Sequence, residues 1–225
     1  MSYGFLAKNQ SGFTQIDGTY DNLSVLASGT ATSSYHSSTG GVFNLISMPS
    51  GAPSDTVIFA KPTNESGTYV LWLQGASNGF YLMGPVNINT TFSVDYKICV
   101  RSRDMPASSN NGYGLKVYKS NGEEAYSSSN ENFKCLFVAS DSTTAGSQAV
   151  YSPTSISGCF RLMDGSNVVG YFPIQPTLIM LIAYAQRFEY ANNRIFGTAT
   201  YARFGTGSGS GGSTQVKTNL VGKFV

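Results

Sequence analysis

The chain has 225 residues, of which only 12% are charged, and 14 Lys and Arg nearly balance 12 Asp and Glu to give a formal net charge of +2. The basic residues form no stripe, which disfavours nucleic-acid binding, and the longest apolar run, Leu178 to Ala185, is too short to span a bilayer. Residues 1–12 lack the apolar segment of a secretory signal, so we expect synthesis in the cytoplasm without export.

The chain opens with a predicted β-hairpin. Residues Tyr3 to Ala7 alternate with a period of two, Gln10 to Gly12 supply a turn, and Phe13 begins the return strand. The same pattern recurs from Tyr113 to Gly122, with Tyr-Gly and the turn glycine at the same spacing. The ungapped alignment continues after the turn and places Ile16 on Tyr126, Asp21 on Glu131, Asn22 on Asn132 and Leu23 on Phe133. We interpret this as one hairpin design used in two halves of the chain; a chance likeness between Gly-rich segments is the alternative.

Between and after the hairpins, short apolar or alternating runs separated by turn residues predict further strands. In the first half the predicted strands are Leu23–Ala27, Val42–Met48, Thr56–Ala60, Tyr69–Leu73, Phe80–Met83 and Thr91–Val100. Ser28 to Gly41 is predicted to be a long loop. In the second half the predicted strands are Phe133–Ala139, Gly158–Met163, Asn167–Phe172, Thr177–Ala185 and Arg194–Phe204, with a short core helix as the alternative for Thr177–Ala185.

The last part of the chain has a different composition. Gly205 to Ser213 has the Gly/Ser content of a flexible tether, and Gln215 to Val225 carries apolar side chains that need burial. We therefore expect a C-terminal arm that reaches a neighbouring subunit, with a frayed tail as the alternative.

These patterns predict an all-β, helix-poor protein with the architecture of an antiparallel β-sandwich, built as one body or as two β halves. The predicted boundaries are 1–104 for the first half, 105–204 for the second, and 205–225 for the linker and arm. Because few charges protect the strand edges, we expect the edges to be covered by oligomerisation.

Few residues suggest catalysis or metal binding. His36 is the one histidine, it lies in the Ser/Thr/Gly stretch without a nearby carboxylate in sequence, and a solvated side chain is the expectation. Cys99, Cys135 and Cys159 form no C-x-x-C pair and are predicted to be free thiols. Asp17, Asp21, Glu123 and Glu124 lie around the hairpins but do not establish a pair opposed across a cleft. We therefore predict no catalytic, cofactor-binding or metal-binding residues, and no enzyme.

Aromatic side chains are the remaining candidates for binding. Sugar stacking and core packing are both open for Tyr35, Tyr69, Trp72, Phe80, Tyr81 and Tyr151, and core packing is favoured for Trp72 because its strand is apolar.

The opening residues, Met1 to Asp17, resemble the start of small tail-tip and tail-fibre-associated proteins of tailed bacteriophages. The second copy, Tyr113 to Gly122, is similar to the same pattern. The resemblance covers about residues 1–29 and 112–133, and it implies no functional residues.

What the resemblance implies is a structural protein of the virion tail, in the baseplate, tail tip or fibre, made in the host cytoplasm. The expected partners are other tail proteins, further copies of the chain with a trimer favoured, and a host surface receptor, without nucleic acid or membrane insertion. A carbohydrate-binding adhesin module and a capsid decoration protein are the alternatives.

Overall fold

The computed structural model describes residues 6–8, 14–17, 21–36, 41–76, 79–83, 91–106, 114–140, 155–163, 168–175, 178–192, 194–206 and 218–225. Regular structure in these residues consists of strands and two single-turn 3-10 helices, Ser102–Asp104 and Tyr190–Asn192. The strands are β1 (Leu6–Lys8), β2 (Thr14–Asp17), β3 (Leu23–Thr32), β4 (Ser34–His36), β5 (Gly41–Ser47), β6 (Val57–Pro62), β7 (Thr68–Ala76), β8 (Gly79–Met83), β9 (Ser93–Arg101), β10 (Lys116–Tyr118), β11 (Glu124–Ser127), β12 (Phe133–Ser140), β13 (Phe160–Met163), β14 (Val168–Gln175), β15 (Leu178–Glu189), β16 (Arg194–Thr206) and β17 (Thr218–Phe224). The prediction of an all-β, helix-poor chain is confirmed.

Two predictions about local structure are settled by these bounds. The apolar run after Pro176 is the long strand β15, not a helix. The prediction of a loop over residues 28–41 is wrong for the described residues, because β3 continues to Thr32 and β4 follows it. Ser, Thr and Gly in this stretch alternate between exposed and buried positions of a strand, a pattern that their composition hides.

One of the two large sheets around the core is a six-stranded antiparallel sheet with the order β12-β17-β13-β6-β9-β3. The sheet curls into a half-barrel, and its two edge strands approach each other where they begin. An antiparallel bridge joins Ser24 to Asn132, and the Val25 amide donates to the Glu131 carbonyl at 2.8 Å. The first and last strands of the sheet are therefore linked by hydrogen bonds at one end.

Both faces of this sheet carry a cluster of buried residues. One face carries Phe59, Cys99 and Phe160, with Phe133 and Phe224 packed against them. The rings of Phe59 and Phe133 lie 4.3 Å apart, centroid to centroid. Aromatic packing of this kind adds to the apolar burial that stabilises the sheet.

The other face carries a larger cluster that includes Ile58, Ile98 and Val221. It also contains residues from other strands, among them Ile46 of β5, Phe188 of β15 and Ile195 of β16. The strand predicted over Thr91–Val100 is confirmed as β9, and its alternate residues share one face, since Val94 and Ile98 belong to this cluster and Phe92 and Tyr96 pack against it.

The second large sheet contains seven strands, with the order β14-β15-β7-β8-β5-β4 and with β16 paired to β15. Strand β15 makes the most extensive pairing in this sheet. Every residue of β15 pairs with β16, and its last four residues also pair with β7. The sheet thereby joins strands from before residue 105 and after it. The boundaries 1–104, 105–204 and 205–225 stay predictions.

The C-terminal strand differs from its expected role. Residues 218–224 form β17, which pairs with β12 on one side and β13 on the other within its own chain. Val221 is fully buried, and a Cβ on Gly222 would collide with the Lys134 carbonyl and the Phe133 ring. Of the apolar side chains that suggested an arm, Val221 is buried and Leu220 and Phe224 pack against the core in this chain's own sheet, whereas Val225 is exposed. Residues 207–217, most of the expected tether, lie outside the described part of the chain.

Candidate assembly surface

Two short hairpins, β1–β2 and β10–β11, form separate two-stranded sheets. Their pairing is the same residue by residue, including a β-bulge between the last two pairs of each. The partners are Leu6–Asp17, Ala7–Ile16 and Lys8–Thr14 in the first, and Lys116–Ser127, Val117–Tyr126 and Tyr118–Glu124 in the second. The strand pairs of both predicted hairpins are confirmed. Tyr3, Gly4, the predicted turn Gln10 to Gly12 and Tyr113 lie outside the described residues.

The turn of the second hairpin explains why a glycine recurs there. The Gly122 amide donates to the Lys119 carbonyl at 3.0 Å, and the Lys119 amide donates to the Glu123 carbonyl at 2.8 Å. Gly122 closes this turn with φ of 85°, a conformation that side chains disfavour. The Glu123 amide donates to Asn121 Oδ1 at 3.1 Å, which fixes the turn further.

Buried residues hold the second hairpin on the protein. Ala125 is fully buried and Val117 nearly so. The Ala125 carbonyl accepts two hydrogen bonds from Asn22, one from its amide at 3.1 Å and one from Nδ2 at 2.8 Å. The hairpin is therefore attached to the segment that leads into β3.

A cluster of four charged side chains lies between the hairpin turn and the end of β9. Asp21 pairs with Lys119 at 2.7 Å and with Arg103 at 3.7 Å, and Glu123 contacts both cations at 3.4 Å. Asp21 raises the pKa of Arg103, with further help from Glu123. Hydrogen bonding with Asn121, then with Lys119 and Arg103, lowers the pKa of Glu123. The ion pairs of these four side chains fix the orientation of the hairpin.

The second hairpin exposes two large apolar side chains. Leu115 is 47% exposed and Tyr118 is 55% exposed, and the ion pair between Lys116 and Glu124, 2.9 Å long, lies beside Tyr118. We call these four residues the Tyr118 patch. In the first hairpin Leu6 is also 55% exposed. Large apolar groups at a strand edge are typical of contact surfaces.

The two hairpins lie next to each other, because β2 contacts both β11 and β12. They flank the point where the edge strands β3 and β12 meet. The exposed apolar groups are thus carried by paired elements at one end of the six-stranded sheet, on a base fixed by hydrogen bonds and ion pairs.

The structure places the residues singled out from sequence on several elements, and the side chains of His36 and Asp17 lie outside its description. His36 ends β4, where it pairs with Gly41 of β5, and Asp17 pairs with Leu6 in the first hairpin. Asp21 and Glu123 belong to the charged cluster, and Glu124 belongs to the Tyr118 patch. The carboxylates of Asp21, Glu123 and Glu124 are thus paired with Lys or Arg side chains.

The three cysteines are free thiols, as predicted. Burial raises the pKa of Cys99 to about 12, and burial also raises the pKa of Cys159. A thiol with a raised pKa holds little of the reactive thiolate at neutral pH. Neither of these two buried cysteines has the character of a nucleophile.

Two of the aromatic candidates pack in the protein. Tyr69 and Phe80 lie against the larger core cluster, and Tyr69 meets Tyr190 edge-on at 6.3 Å. Tyr35, Trp72 and Tyr81 lie on β4, β7 and β8, but their side chains are outside the description, as is all of Tyr151. Tyr118 was not selected from the sequence. The available signal was the alternation in β10, where Val117 faces inward and its neighbours Lys116 and Tyr118 face outward.

Within the described residues, no group of three or more His, Cys, Asp or Glu side chains is arranged to hold a metal ion. In the same part of the chain, no helix has the length and apolar character needed to cross a membrane. No family model, curated protein or solved structure matches the chain.

Proposed function

We propose that this protein is a structural component of a bacteriophage tail, in the baseplate, tail tip or fibre, and that it is not an enzyme. It assembles with other tail proteins and with further copies of itself, a trimer being the favoured state, and it contacts the host surface. The Tyr-Gly hairpin pattern supports this proposal through its resemblance to tail-tip proteins.

The observation that carries the proposal is the Tyr118 patch on a firmly held hairpin. A two-stranded ribbon is marginal by itself, yet this one is fixed by Asn22 and by the charged cluster while it presents Leu115 and Tyr118 to solvent. Burying one large apolar side chain against a neighbour contributes about 1.5–3 kcal/mol. The patch is therefore suited to subunit contact.

We also propose that the two large sheets pack face to face as a β-sandwich. Residues from both sheets share one core cluster, in which Ile58 and Ile98 of the six-stranded sheet join Ile46 and Phe188 of the seven-stranded sheet. Shared burial of this kind supports a layered arrangement.

The test is to replace Tyr118 by Lys and to measure incorporation of the chain into tail particles. Thr63→Lys is the matched control, because Thr63 is exposed in the turn between β6 and β7. We expect both variants to keep the circular dichroism and melting temperature of the parent, and only Tyr118→Lys to lose at least tenfold in incorporation. Normal incorporation of a folded Tyr118→Lys chain would contradict the role of the patch.

Carbohydrate binding is the second candidate, and the exposed ring of Tyr118 beside a charged pair favours it. Such a ring can stack on a sugar. Binding of the purified chain to a glycan array, abolished by Tyr118→Ala and kept by Tyr118→Phe, would support an adhesin. Absence from purified tails would then exclude the structural role.

A further inference from the structure

The correspondence between the two hairpins extends into the six-stranded sheet. At the same constant spacing that relates Leu6 to Lys116, the first residue of β3, Leu23, corresponds to the first residue of β12, Phe133. Each hairpin is thus followed by an edge strand of the sheet after the same interval, and β3 and β12 are counterparts.

Their partner strands correspond as well. Strand β3 pairs with β9 through Leu23–Arg101, Val25–Cys99 and Ala27–Ile98, with a bulge between Val25 and Ala27. Strand β12 pairs with β17 through Phe133–Phe224, Cys135–Gly222 and Phe137–Val221, with a bulge between Cys135 and Phe137. The two registers match pair for pair and the bulge falls at the same step, so β17 is the counterpart of β9.

The residues that follow these strands repeat the relation. The Ser102 amide donates to the Asn22 carbonyl at 2.8 Å, and the Val225 amide donates to the Asn132 carbonyl at 3.0 Å. Asn22 and Asn132 were aligned by the sequence repeat. Residue 225 therefore occupies the position in the second half that residue 102 occupies in the first.

The third strand of each set completes the correspondence. Strand β6 pairs with β9 through Val57–Cys99 and Ile58–Ile98. Strand β13 pairs with β17 through Phe160–Gly222 and Arg161–Val221. With Cys99 equivalent to Gly222 and Ile98 to Val221, Phe160 is equivalent to Val57 and Arg161 to Ile58.

The contact between β6 and β13 has two-fold character. Its pairs are Ile58–Met163, Phe59–Leu162 and Ala60–Arg161. Under the equivalences above, Phe59 faces its own counterpart, Leu162, and the pairs on either side exchange with each other. The order β12-β17-β13-β6-β9-β3 reads the same from both ends once counterparts are matched.

We infer that residues 3–102 and 113–225 are two copies of one β unit, and that the β6–β13 contact is a two-fold self-association surface whose partner is a second copy of that unit. In the six-stranded sheet, the single chain therefore has the arrangement of two such units fused into one dimer. The strand β17 is the closing strand of the second unit, in place of the expected arm. This inference does not depend on the proposed function.

Circular permutation of the full chain tests the inference. If the halves are two fused copies, a linker can join the end of the second copy to the start of the first as well as the end of the first to the start of the second. Residues 103–112 join residue 102 to Tyr113 along the chain, and the inferred equivalence makes residue 225 and Tyr3 the corresponding pair of ends. The permutant begins at residue 110 and joins residue 225 to Met1 through eight Gly/Ser residues, which with Met1 and Ser2 restore the native linker length. A second permutant carries sixteen Gly/Ser residues.

We expect the eight-residue permutant to be folded, with the circular dichroism of the parent and a melting temperature within about 5 °C of it. The readout for the sheet is a disulfide between Lys134→Cys and Lys223→Cys, at exposed positions that pair between β12 and β17. This disulfide is expected within one chain in both the parent and the permutant, observed as a monomer under non-reducing conditions.

A control distinguishes the effect of breaking the chain at residue 110 from the effect of joining residue 225 to Met1. It is the unpermuted chain with a protease site inserted at residue 110. We expect the cut chain to keep its circular dichroism and its fragments to stay associated through the β6–β13 contact. Loss of the fold on cutting would overturn the inference. A folded cut chain together with two unfolded permutants would overturn it as well, because the ends would then lack the equivalence that the fused dimer requires.

Discussion

Strands β9 and β17 have corresponding neighbours, β3 and β6 for the one and β12 and β13 for the other, and matching registers but different side chains. At two positions where β9 carries the cations Lys97 and Arg101, β17 carries Leu220 and Phe224, and at a third Cys99 is matched by Gly222. Backbone hydrogen bonds are indifferent to these changes, because every residue offers the same donor and acceptor. The register therefore persists where the chemistry of the side chains has diverged.

Side chains that differ between β9 and β17 interact favourably with residues of the opposite half. Lys97 pairs with Glu131 at 2.7 Å, and its Nζ lies 5.7 Å from the centre of the Phe224 ring. A cation from the first half is thus matched by an acid and an aromatic ring from the second half. The counterparts of Lys97 and Phe224 are Leu220 and Arg101, so this contact is made on one side only. The difference between the halves has thus become part of what joins them.

The largest expected effect is at the centre of the β6–β13 contact, where Phe59 pairs with its counterpart Leu162. Phe59 is fully buried and packs on the rings of Phe133 and Phe224, whereas Leu162 is half-buried. We expect Phe59→Ala to lower the free energy of unfolding by about 3–5 kcal/mol and Leu162→Ala by about 2 kcal/mol. Urea denaturation measures both, and an equal loss would show that the two sides of the axis pack alike.

A smaller effect is expected at the aligned asparagines. Asn132 is buried, donates to the Ser127 and Asn130 carbonyls at 2.7 Å each, and accepts from Ser24 at 2.8 Å. Asn22 is half-buried, and its side chain donates to the Ala125 carbonyl. We expect losses of about 2–3 kcal/mol for Asn132→Ala and about 1 kcal/mol for Asn22→Ala, since unpaired buried groups cost more. Thermal denaturation with the reverse order would contradict this difference.

The smallest effect concerns Glu65, which joins the halves by accepting hydrogen bonds from Ser157 Oγ and the Gly158 amide as well as from Lys61 at 2.8 Å. Burial opposes ionisation of Glu65, but these hydrogen bonds, that from Lys61 first, lower its pKa below the ordinary 4.5. Its contribution is therefore complete above pH 4.5 and is lost as pH falls through the lower pKa of the folded state.

We expect Glu65→Gln to lower the free energy of unfolding by about 1 kcal/mol at pH 7, and the difference from the parent to shrink below pH 4.5. Denaturation curves from pH 7 to pH 3 measure this. A difference that stays constant over that range would show that the charge of Glu65 contributes nothing across the two halves. Thr63→Ala, in the same turn, serves as a control without a titrating group.

Local patterns in the sequence were sufficient for the hairpins and for most strands. Tyr-Gly and the turn glycine at equal spacing identified both hairpins, and the alternation before Val100 identified a buried face of β9. Pairing between distant strands carries no such local signal, and the position of β17 between β12 and β13 depends on contacts made far along the chain. The Tyr118 patch was missed because composition does not separate an exposed tyrosine from a buried one.

The position of β17 also has a consequence for how the chain acquires its structure during synthesis. Residues 218–224 are translated after every other strand of the six-stranded sheet, yet they insert between two of them. Until they leave the ribosome, β12 and β13 face an open slot, and the nascent chain exposes the rings that β17 later covers. A chain that ended before residue 218 would leave two strand edges of this sheet unpaired, and unpaired edges promote aggregation.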